Sequence, residues 1–347
     1  MTSDLPSRQT LGSNVLSLIV ATALANTVRF LTNALLAWTY GPKEHGRFAV
    51  VFGLISLLIV IGEMGIVTTF GVRQIALATQ GNRSALSALT NRLSGLLLLI
   101  NLVIVAAVWL LAEPMGQWLK VDSSLLRLVA VWPIGFCLYR LTVMVANGLE
   151  AMTYSAGTTA IFHGIWLMWL GIGLVSEVSL DELLVGFSIA FVVAGFASWL
   201  IMPSILHRWQ LRWRPWLSDI GQMVRTIFSA LPYALPQMGV LILPSVVCLL
   251  IITWQSQDQV SFFQIAYSLA ILAHLVALPV AFALLPRLTR LMHGDIASQE
   301  VARDLVRTTA SVLIALSSLI FALYWIGGDT ILNLMGPAYA GQHTILF

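Results

Sequence analysis

Charged side chains are scarce in this chain. Asp, Glu, Lys and Arg make up 10% of its 347 residues, whereas apolar residues make up 59%, and the mean hydropathy is +0.90. A soluble domain usually carries about 25% charged residues. The composition therefore excludes a soluble protein that binds nucleic acid or acidic substrates and a secreted disulfide-framework protein. It predicts an integral membrane protein that crosses the bilayer several times.

Cysteine is rarer still, with two in the chain. Cys137 and Cys248 lie in apolar runs, without the paired spacing of a metal site or a redox motif. The GxxxxGK[ST], HExxH and GxSxG patterns of nucleotide hydrolysis, zinc proteases and serine hydrolases are absent from the sequence as well. We therefore expect no catalytic residue, no bound metal and no cofactor.

Nine runs of about 20 mostly apolar residues follow one another along the chain. A bilayer core roughly 30 Å thick requires a helix of about that length, and unpaired backbone groups are so costly in lipid that such runs must be helical. The runs are approximately 16–38, 48–70, 93–112, 125–148, 157–176, 183–206, 228–253, 262–285 and 308–326. The sequence predicts an all-α, polytopic transmembrane helical bundle.

Positive charge is distributed unevenly among the segments that connect the runs. If the N-terminus is cytoplasmic, twelve of the 18 Lys and Arg residues fall in inner segments and three in outer ones. The other three, Arg29, Arg127 and Arg140, lie within apolar runs. Because inner loops of membrane proteins carry the excess of Lys and Arg, the asymmetry predicts a cytoplasmic N-terminus.

Two parts of the chain resemble each other weakly, which indicates an internal repeat. Residues 36–44 align with residues 250–258, so that Glu44 matches Asp258 just beyond an aromatic residue at a helix end. Similar halves with the same polarity are typical of a parallel repeat about an axis along the membrane normal. We therefore expect two pseudo-symmetric lobes.

The segment between the lobes is rich in Arg and Trp and begins HRWQLRWRPW. Next to a transmembrane helix, this mixture is typical of an anchor for anionic headgroups rather than of a nucleic-acid surface. From Trp216 to Ile227, apolar residues recur at helical spacing, which predicts an interfacial amphipathic helix. The predicted domains are a six-helix lobe at 1–206, a cytoplasmic linker at 207–227 and a second lobe at 228–347.

The second lobe is expected to be incomplete. It contains three of the nine runs, and residues 344–347 (TILF) resemble the opening of a tenth helix. A helix cannot stop four residues into a bilayer, because about 20 residues are needed to cross it. We expect three helices and the start of a fourth in this lobe, as in a truncated protein.

Several short motifs resemble those of a known family in their order along the chain. They are GPKEHGRFA at 41–49, GEMGI at 62–66, ANGLEAM at 146–152 and LPY at 231–233. This order is similar to that of polysaccharide-biosynthesis membrane proteins, the Wzx-type O-antigen flippases, which belong to the multidrug/oligosaccharidyl-lipid/polysaccharide exporter superfamily. The resemblance implies two lobes of transmembrane helices and no enzymatic activity.

The resemblance also implies a substrate and partners. The expected function is the flipping of a polyprenyl-pyrophosphate-linked oligosaccharide, an O-antigen or exopolysaccharide unit, across the bacterial inner membrane by ion-gradient-driven alternating access. The expected partners are this lipid-linked oligosaccharide, membrane lipids, and polysaccharide polymerase and glycosyltransferases, with no nucleic acid. Two alternatives remain open: a small-molecule cation antiporter of multidrug type, and a truncated flippase that does not transport.

Arg29 is the sharpest candidate for substrate binding. Thr22, Asn26, Arg29 and Asn33 fall on one face of the first helix at 100° per residue, within an otherwise apolar run. A charged group inside a membrane helix is costly and is usually functional. A guanidinium matches phosphate oxygens in a two-pronged geometry. We predict that Arg29, Asn26 and Asn33 bind substrate, while a structural Arg29 bonded within the protein remains the alternative.

Glu63 and Arg140 are predicted to lie at the same depth in the membrane. Each is fifteen residues from the outer end of its run, about 22 Å at 1.5 Å per residue. Equal depth allows a purely structural ion pair between the second and fourth runs. The functional interpretation makes Glu63 the ion-coupling residue and Arg140 a second substrate-binding residue. Both interpretations stay open.

Overall fold

The structure is a computed structural model that describes residues 11–63, 65–78, 83–211, 220–237, 242–270, 284–285, 287–289, 291–292, 296–334 and 336–339, and these residues include no strand. The helices are α1 (Leu11–Glu63), α2 (Val72–Ala78), α3 (Arg83–Leu110), α4 (Ala112–Leu119), α5 (Ser123–Val129), α6 (Trp132–Gly148), α7 (Met152–Val175), α8 (Leu180–Trp199), α9 (Met202–Arg208), α10 (Ile220–Gln237), α11 (Leu243–Trp254), α12 (Gln257–Ala270) and α13 (Ile296–Leu334). The all-α prediction is confirmed.

Six helical segments of the described residues are long and apolar enough to cross a membrane. They are Ile19–Glu63, Ser84–Leu110, Ser123–Gly148, Met152–Val175, Leu180–Arg208 and Ser298–Gly328. The first of them covers most of the first two predicted runs. The seventh run falls on α10 and α11, and the eighth begins in α12; residues 238–241 and 271–283 of these two runs lie outside the described part of the chain. The polytopic bundle is therefore confirmed.

The first two predicted runs are joined through one glycine. Helix α1 continues across both, and at Gly41 its backbone leaves helical geometry, with φ 75° and ψ 175°. Glycine adopts a positive φ at little cost because it has no Cβ. Pro42 then occupies the first turn of the next helical stretch, where its missing N–H is not needed. The prediction of a nine-residue connection at 39–47 is thus corrected. Helix α1 turns at Gly41 alone and has a first arm (11–40) and a second arm (42–63).

An aromatic core holds the N-terminal helices together. Trp132 of α6 stacks on Phe191 of α8 with ring centroids 4.9 Å apart, and its Nε1 donates a hydrogen bond to Ser188 Oγ at 2.7 Å. Nearby the two backbones touch, since a Cβ built on Gly195 would lie 2.2 Å from the carbonyl oxygen of Gly135. Glycine at both positions lets these membrane helices approach closely.

The second arm of α1 packs directly against helices of the predicted second lobe. A Cβ built on Gly46 would lie 1.8 Å from the carbonyl oxygen of Gln257 at the start of α12. One built on Gly53 would lie 3.4 Å from Cys248 Cβ of α11. The contact at Gly46 brings helices from the two parts of the chain together at the end of the bundle that carries Gly41, called the Gly41 end below. The contact at Gly53 lies deeper, twelve residues from Gly41.

Helix α13 has an apolar surface that the rest of the described protein leaves open. Its apolar stretch within Ser298–Gly328 is 0% buried, and Ile314, Phe321 and Trp325 are more than half exposed. A helix with such a surface is stable against lipid, where all of its backbone hydrogen bonds are internal. This exposure supports a multi-pass membrane protein.

The linker predicted at 207–227 is described in part. Helix α9 ends at Arg208 and α10 begins at Ile220, while residues 212–219 lie outside the described part. Helix α10 runs without interruption across the predicted boundary between residues 227 and 228. The end of the amphipathic segment is therefore continuous with the seventh predicted run, and the boundaries of lobes and linker stay a prediction.

A disulfide tests the contact between α1 and α11. In Gly53→Cys, the new Cβ lies 3.4 Å from that of native Cys248, near the roughly 3.8 Å mean of disulfides. We expect mild oxidation to remove two of the three thiols of this variant from maleimide labelling. The control, Gly53→Cys with Cys248→Ala, should keep both thiols; three free thiols in the first variant would contradict the contact.

Candidate functional site

Arg29 lies in the first arm of α1, eleven residues before Tyr40. At 1.5 Å per residue this places it about 16 Å from the Gly41 end, near the middle of the membrane. Its side chain is partly exposed, its buried Nε has no hydrogen-bond acceptor, and it makes no ion pair within the described part of the chain. The guanidinium therefore keeps donors available for a ligand.

Helices from both parts of the chain surround Arg29. Arg29 interacts electrostatically with Tyr139 of α6 and His163 of α7. It also interacts electrostatically with Tyr267 of α12. Tyr139 and His163 are buried, and the Tyr139 hydroxyl forms a hydrogen bond with Thr159 Oγ1 at 3.2 Å. Arg29 is thus in the neighbourhood of α6, α7 and α12, which belong to both predicted lobes.

Glu63 and Arg140 form a two-pronged ion pair. Arg140 Nε donates to Glu63 Oε1 at 2.7 Å, and Arg140 Nη2 donates to Glu63 Oε2 at 3.2 Å. The side chain of Glu63 is 9% exposed and that of Arg140 is 17% exposed. Their pairing joins the second arm of α1 to α6. The ion pair that equal depth allows is present, while the coupling and substrate-binding roles of the two residues stay predictions.

The helical path changes directly after Glu63. This residue ends α1, Gly65 has a φ of 70°, and Ile66–Gly71 form a π-helix. A positive φ cannot belong to a right-handed helix, and π-helical turns occur frequently at functional sites. The prediction of an uninterrupted helix to residue 70 was therefore wrong. Its signal in the sequence was the pair of glycines, Gly62 and Gly65, on either side of Glu63.

The two asparagines predicted to bind substrate are both buried, with Asn26 8% and Asn33 2% exposed. They share one face of the first arm with Arg29. Asn33 uses both ends of its amide within the protein, because Nδ2 donates to the carbonyl oxygen of Arg29 at 2.9 Å and Oδ1 lies 3.2 Å from His45 Nε2. Substrate contact by either asparagine stays a prediction.

His45 is a buried polar residue that sequence reasoning missed. It is 0% exposed, and its Nδ1 lies 2.7 Å from Ser261 Oγ of α12. Ser261 Oγ in turn lies 2.6 Å from the hydroxyl of Tyr339. The sequence places this histidine in a short connection and gives no signal for its partners, which are distant along the chain and meet through tertiary packing.

Arg127 differs from Arg29 because it forms an ion pair. Its Nη2 lies 3.2 Å from Glu113 Oε2, and its guanidinium carbon lies 5.7 Å from the centroid of the Trp109 ring. Its side chain is 39% exposed, and arginines beside aromatic residues are typical of the membrane interface. Arg127 is therefore a matched control for Arg29.

Among the described residues, no group of three or more His, Cys, Asp or Glu side chains could hold a metal ion. Cys137 and Cys248 are both buried and free. Cys248 fills space against Gly53, and its thiol lies 3.6 Å from Gln264 Oε1 of α12. It therefore marks the contact between α1, α11 and α12.

The fold is similar to that of a solved transporter structure. A crystal structure described as MATE in complex with MaL6 matches with a TM-score of 0.67 at 14% identity, over 98% of this chain and 77% of that chain. No protein-family model and no curated protein sequence matches the chain. The chain therefore has a fold similar to that of the MATE structure.

Breaking the Glu63–Arg140 pair is expected to destabilise the protein. Removing one member of a buried ion pair typically costs about 3–5 kcal/mol, because the other charge loses its partner. We expect Glu63→Gln and Arg140→Gln each to lower the thermal midpoint in detergent, measured by fluorescence-detected size exclusion after heating. Unchanged midpoints in both variants would contradict a stabilising pair.

The charge-swapped double variant, Glu63→Arg with Arg140→Glu, separates the two interpretations of the pair. A structural pair predicts that the swap restores the midpoint and activity together. A restored midpoint with lost activity would assign the pair a functional role. A midpoint no higher than that of the single variants would count against a simple structural pair.

Proposed function

We propose that this protein is a transporter that flips a polyprenyl-pyrophosphate-linked oligosaccharide, an O-antigen or exopolysaccharide unit, across the bacterial inner membrane. The oligosaccharide head group enters between the two lobes while the polyprenyl tail stays in lipid. An ion gradient drives the alternation between the two membrane faces. The observation that carries the proposal is Arg29, a guanidinium at mid-membrane depth with no ion pair within the described residues.

The chemistry of Arg29 supports an anionic substrate. A charged side chain near the centre of a membrane helix costs at least ~2.5 kcal/mol, so it is usually retained with a partner. The planar guanidinium fork fits two phosphate oxygens at once. The hydroxyls of Tyr139 and Tyr267 lie in the same region and can hydrogen-bond phosphate or sugar oxygens. A pyrophosphate would be the anionic partner that Arg29 does not have among the described residues.

Arg140 is the second anion contact in this proposal, and Glu63 is the ion-coupling residue. Glu63 accepts hydrogen bonds from Nε and Nη2 of Arg140 in the structure, so a phosphate must compete with a carboxylate for this side of the guanidinium. Proton or cation binding at Glu63 weakens the pair and makes Arg140 available to the substrate. The helix break at Gly65 gives the Glu63 end of α1 room to change position.

A small-molecule antiporter of multidrug type is the second candidate function. The match to a MATE structure is equally consistent with it. However, a cationic drug requires a carboxylate or an aromatic cage, whereas Arg29 repels cations and the Glu63 carboxylate is paired with Arg140. We therefore favour the anionic substrate.

The proposed orientation has a cytoplasmic N-terminus, which follows from the distribution of Lys and Arg. The Gly41 end then faces away from the cytoplasm. The proposed partners are membrane lipids, the glycosyltransferases that build the lipid-linked oligosaccharide and the polymerase that extends it after flipping.

Complementation of flippase-deficient strains tests Arg29. We expect Arg29→Ala to reduce surface glycan about 10- to 100-fold at normal protein level, the effect of losing a charge-assisted interaction of about 1.5–3 kcal/mol. Arg29→Lys should retain part of the activity, because it keeps the charge and loses the fork. Surface glycan is measured by lectin or antibody blot, and protein level by immunoblot.

The control is Arg127→Ala, which makes the same substitution at the membrane interface and should leave surface glycan unchanged. Parental glycan levels from Arg29→Ala would reject the substrate-binding role. Resistance of a drug-sensitive strain to cationic compounds, without complementation of any flippase mutant, would favour the antiporter. Neither activity from the well-expressed parent would count against both functions.

A further inference from the structure

We propose that a buried hydrogen-bond chain forms the gate at the Gly41 end. Its members, in order, are Tyr339, Ser261, His45 and Asn33, and it is called the Tyr339–Asn33 chain below. The chain holds this end of the protein closed and breaks when the end opens. The proposal rests on the transport cycle proposed above, because alternating access requires each end to open in turn.

The direction of every hydrogen bond in the chain follows from Asn33. Its Nδ2 donates to the carbonyl oxygen of Arg29, so Oδ1 is left to accept a hydrogen bond from His45 Nε2. A neutral imidazole that donates through Nε2 must accept through Nδ1, so the Ser261 hydroxyl donates to it. Ser261 has one proton, and its oxygen therefore accepts from the Tyr339 hydroxyl.

The Tyr339–Asn33 chain connects the two arms of α1 to α12 and to the turn after α13. Asn33 and His45 belong to the two arms of α1, Ser261 to α12, and Tyr339 to the 3₁₀ turn after α13 (Pro337–Tyr339). All four side chains are at most 2% exposed. Any separation of α1 from α12 at this end must break the bond between His45 and Ser261.

The packing around the chain is also tight enough for a closed gate. The Gly46 position leaves no room for a side chain against the Gln257 backbone. Tyr339 packs edge-on against Phe262, with ring centroids 5.4 Å apart, and Gly336 lies against Trp38 of the first arm. These contacts leave the four side chains of the Tyr339–Asn33 chain at most 2% exposed.

A hydrogen-bonded gate differs from a purely apolar one in how it opens. Its polar groups are satisfied by one another when closed and by water when open, so each bond contributes a modest net preference for the closed state. Because Asn33 Nδ2 binds the Arg29 carbonyl oxygen, the chain ends one helical turn from the proposed substrate-binding group. The gate and the site therefore share the first arm of α1.

Native Cys248 is a built-in reporter of this opening. It is 1% exposed and lies where α1, α11 and α12 meet. With Cys137→Ala in the background, Cys248 is the sole thiol, and a water-soluble methanethiosulfonate reagent reaches it when this end opens. The labelling rate is measured on the full chain in nanodiscs, without substrate.

Tyr339→Phe and Ser261→Ala each remove one hydroxyl of the chain. We expect each to raise the labelling rate of Cys248 about fivefold, the factor that one ordinary buried hydrogen bond represents. The matched control is Tyr324→Phe, because the Tyr324 hydroxyl donates to the carbonyl oxygen of Leu269 and joins α13 to α12 without involving α1. The control should label at the parental rate.

The outcomes separate the gate from the transport function. Equal labelling rates for Tyr339→Phe, Ser261→Ala, Tyr324→Phe and the parent would overturn the gate, whatever the complementation assay shows. Faster labelling in the two gate variants with a parental rate in the control supports it. That result supports the gate even if the parent complements no flippase mutant, in which case the substrate class alone is rejected.

Discussion

Polar groups inside a bilayer must find their partners within the protein or in a ligand, because lipid chains offer none. The described part of this chain meets that constraint in two ways. Glu63 and Arg140 neutralise each other, and the Tyr339–Asn33 chain satisfies its members from one end to the other. Arg29 is a third case, since within the described residues it makes no ion pair and its buried Nε has no acceptor. The substrate site is proposed where the described residues leave a membrane charge without an ion-pair partner.

Because of the same constraint, the helical bundle can be predicted from the sequence. Runs of about 20 apolar residues are long enough to be recognised without knowledge of their neighbours, and the all-α bundle follows from them. Hydropathy does not predict the turn at Gly41 or the break at Gly65. Hydropathy averages over about 19 residues, whereas both features depend on the φ of a single glycine.

The site was predictable to the extent that its residues share one helix. Arg29 and Asn33 appear together because helical periodicity relates residues of the same run. The pairing of Glu63 with Arg140 required one further step, the comparison of depth. The partners of His45 lie 216 residues away in α12 and, through Ser261, a further 78 residues away. No periodicity relates such positions, so tertiary structure alone brings them together.

The single-glycine turn at Gly41 also bears on biosynthesis. With one glycine between them, the two arms of α1 can enter the bilayer together as a hairpin. Inserting Arg29 alone would cost at least ~2.5 kcal/mol, whereas each Leu, Ile, Phe or Val contributes about −0.3 to −0.6 kcal/mol. The second arm is rich in these residues. A membrane-inserted hairpin can therefore carry a charge to mid-depth before any later helix has been made.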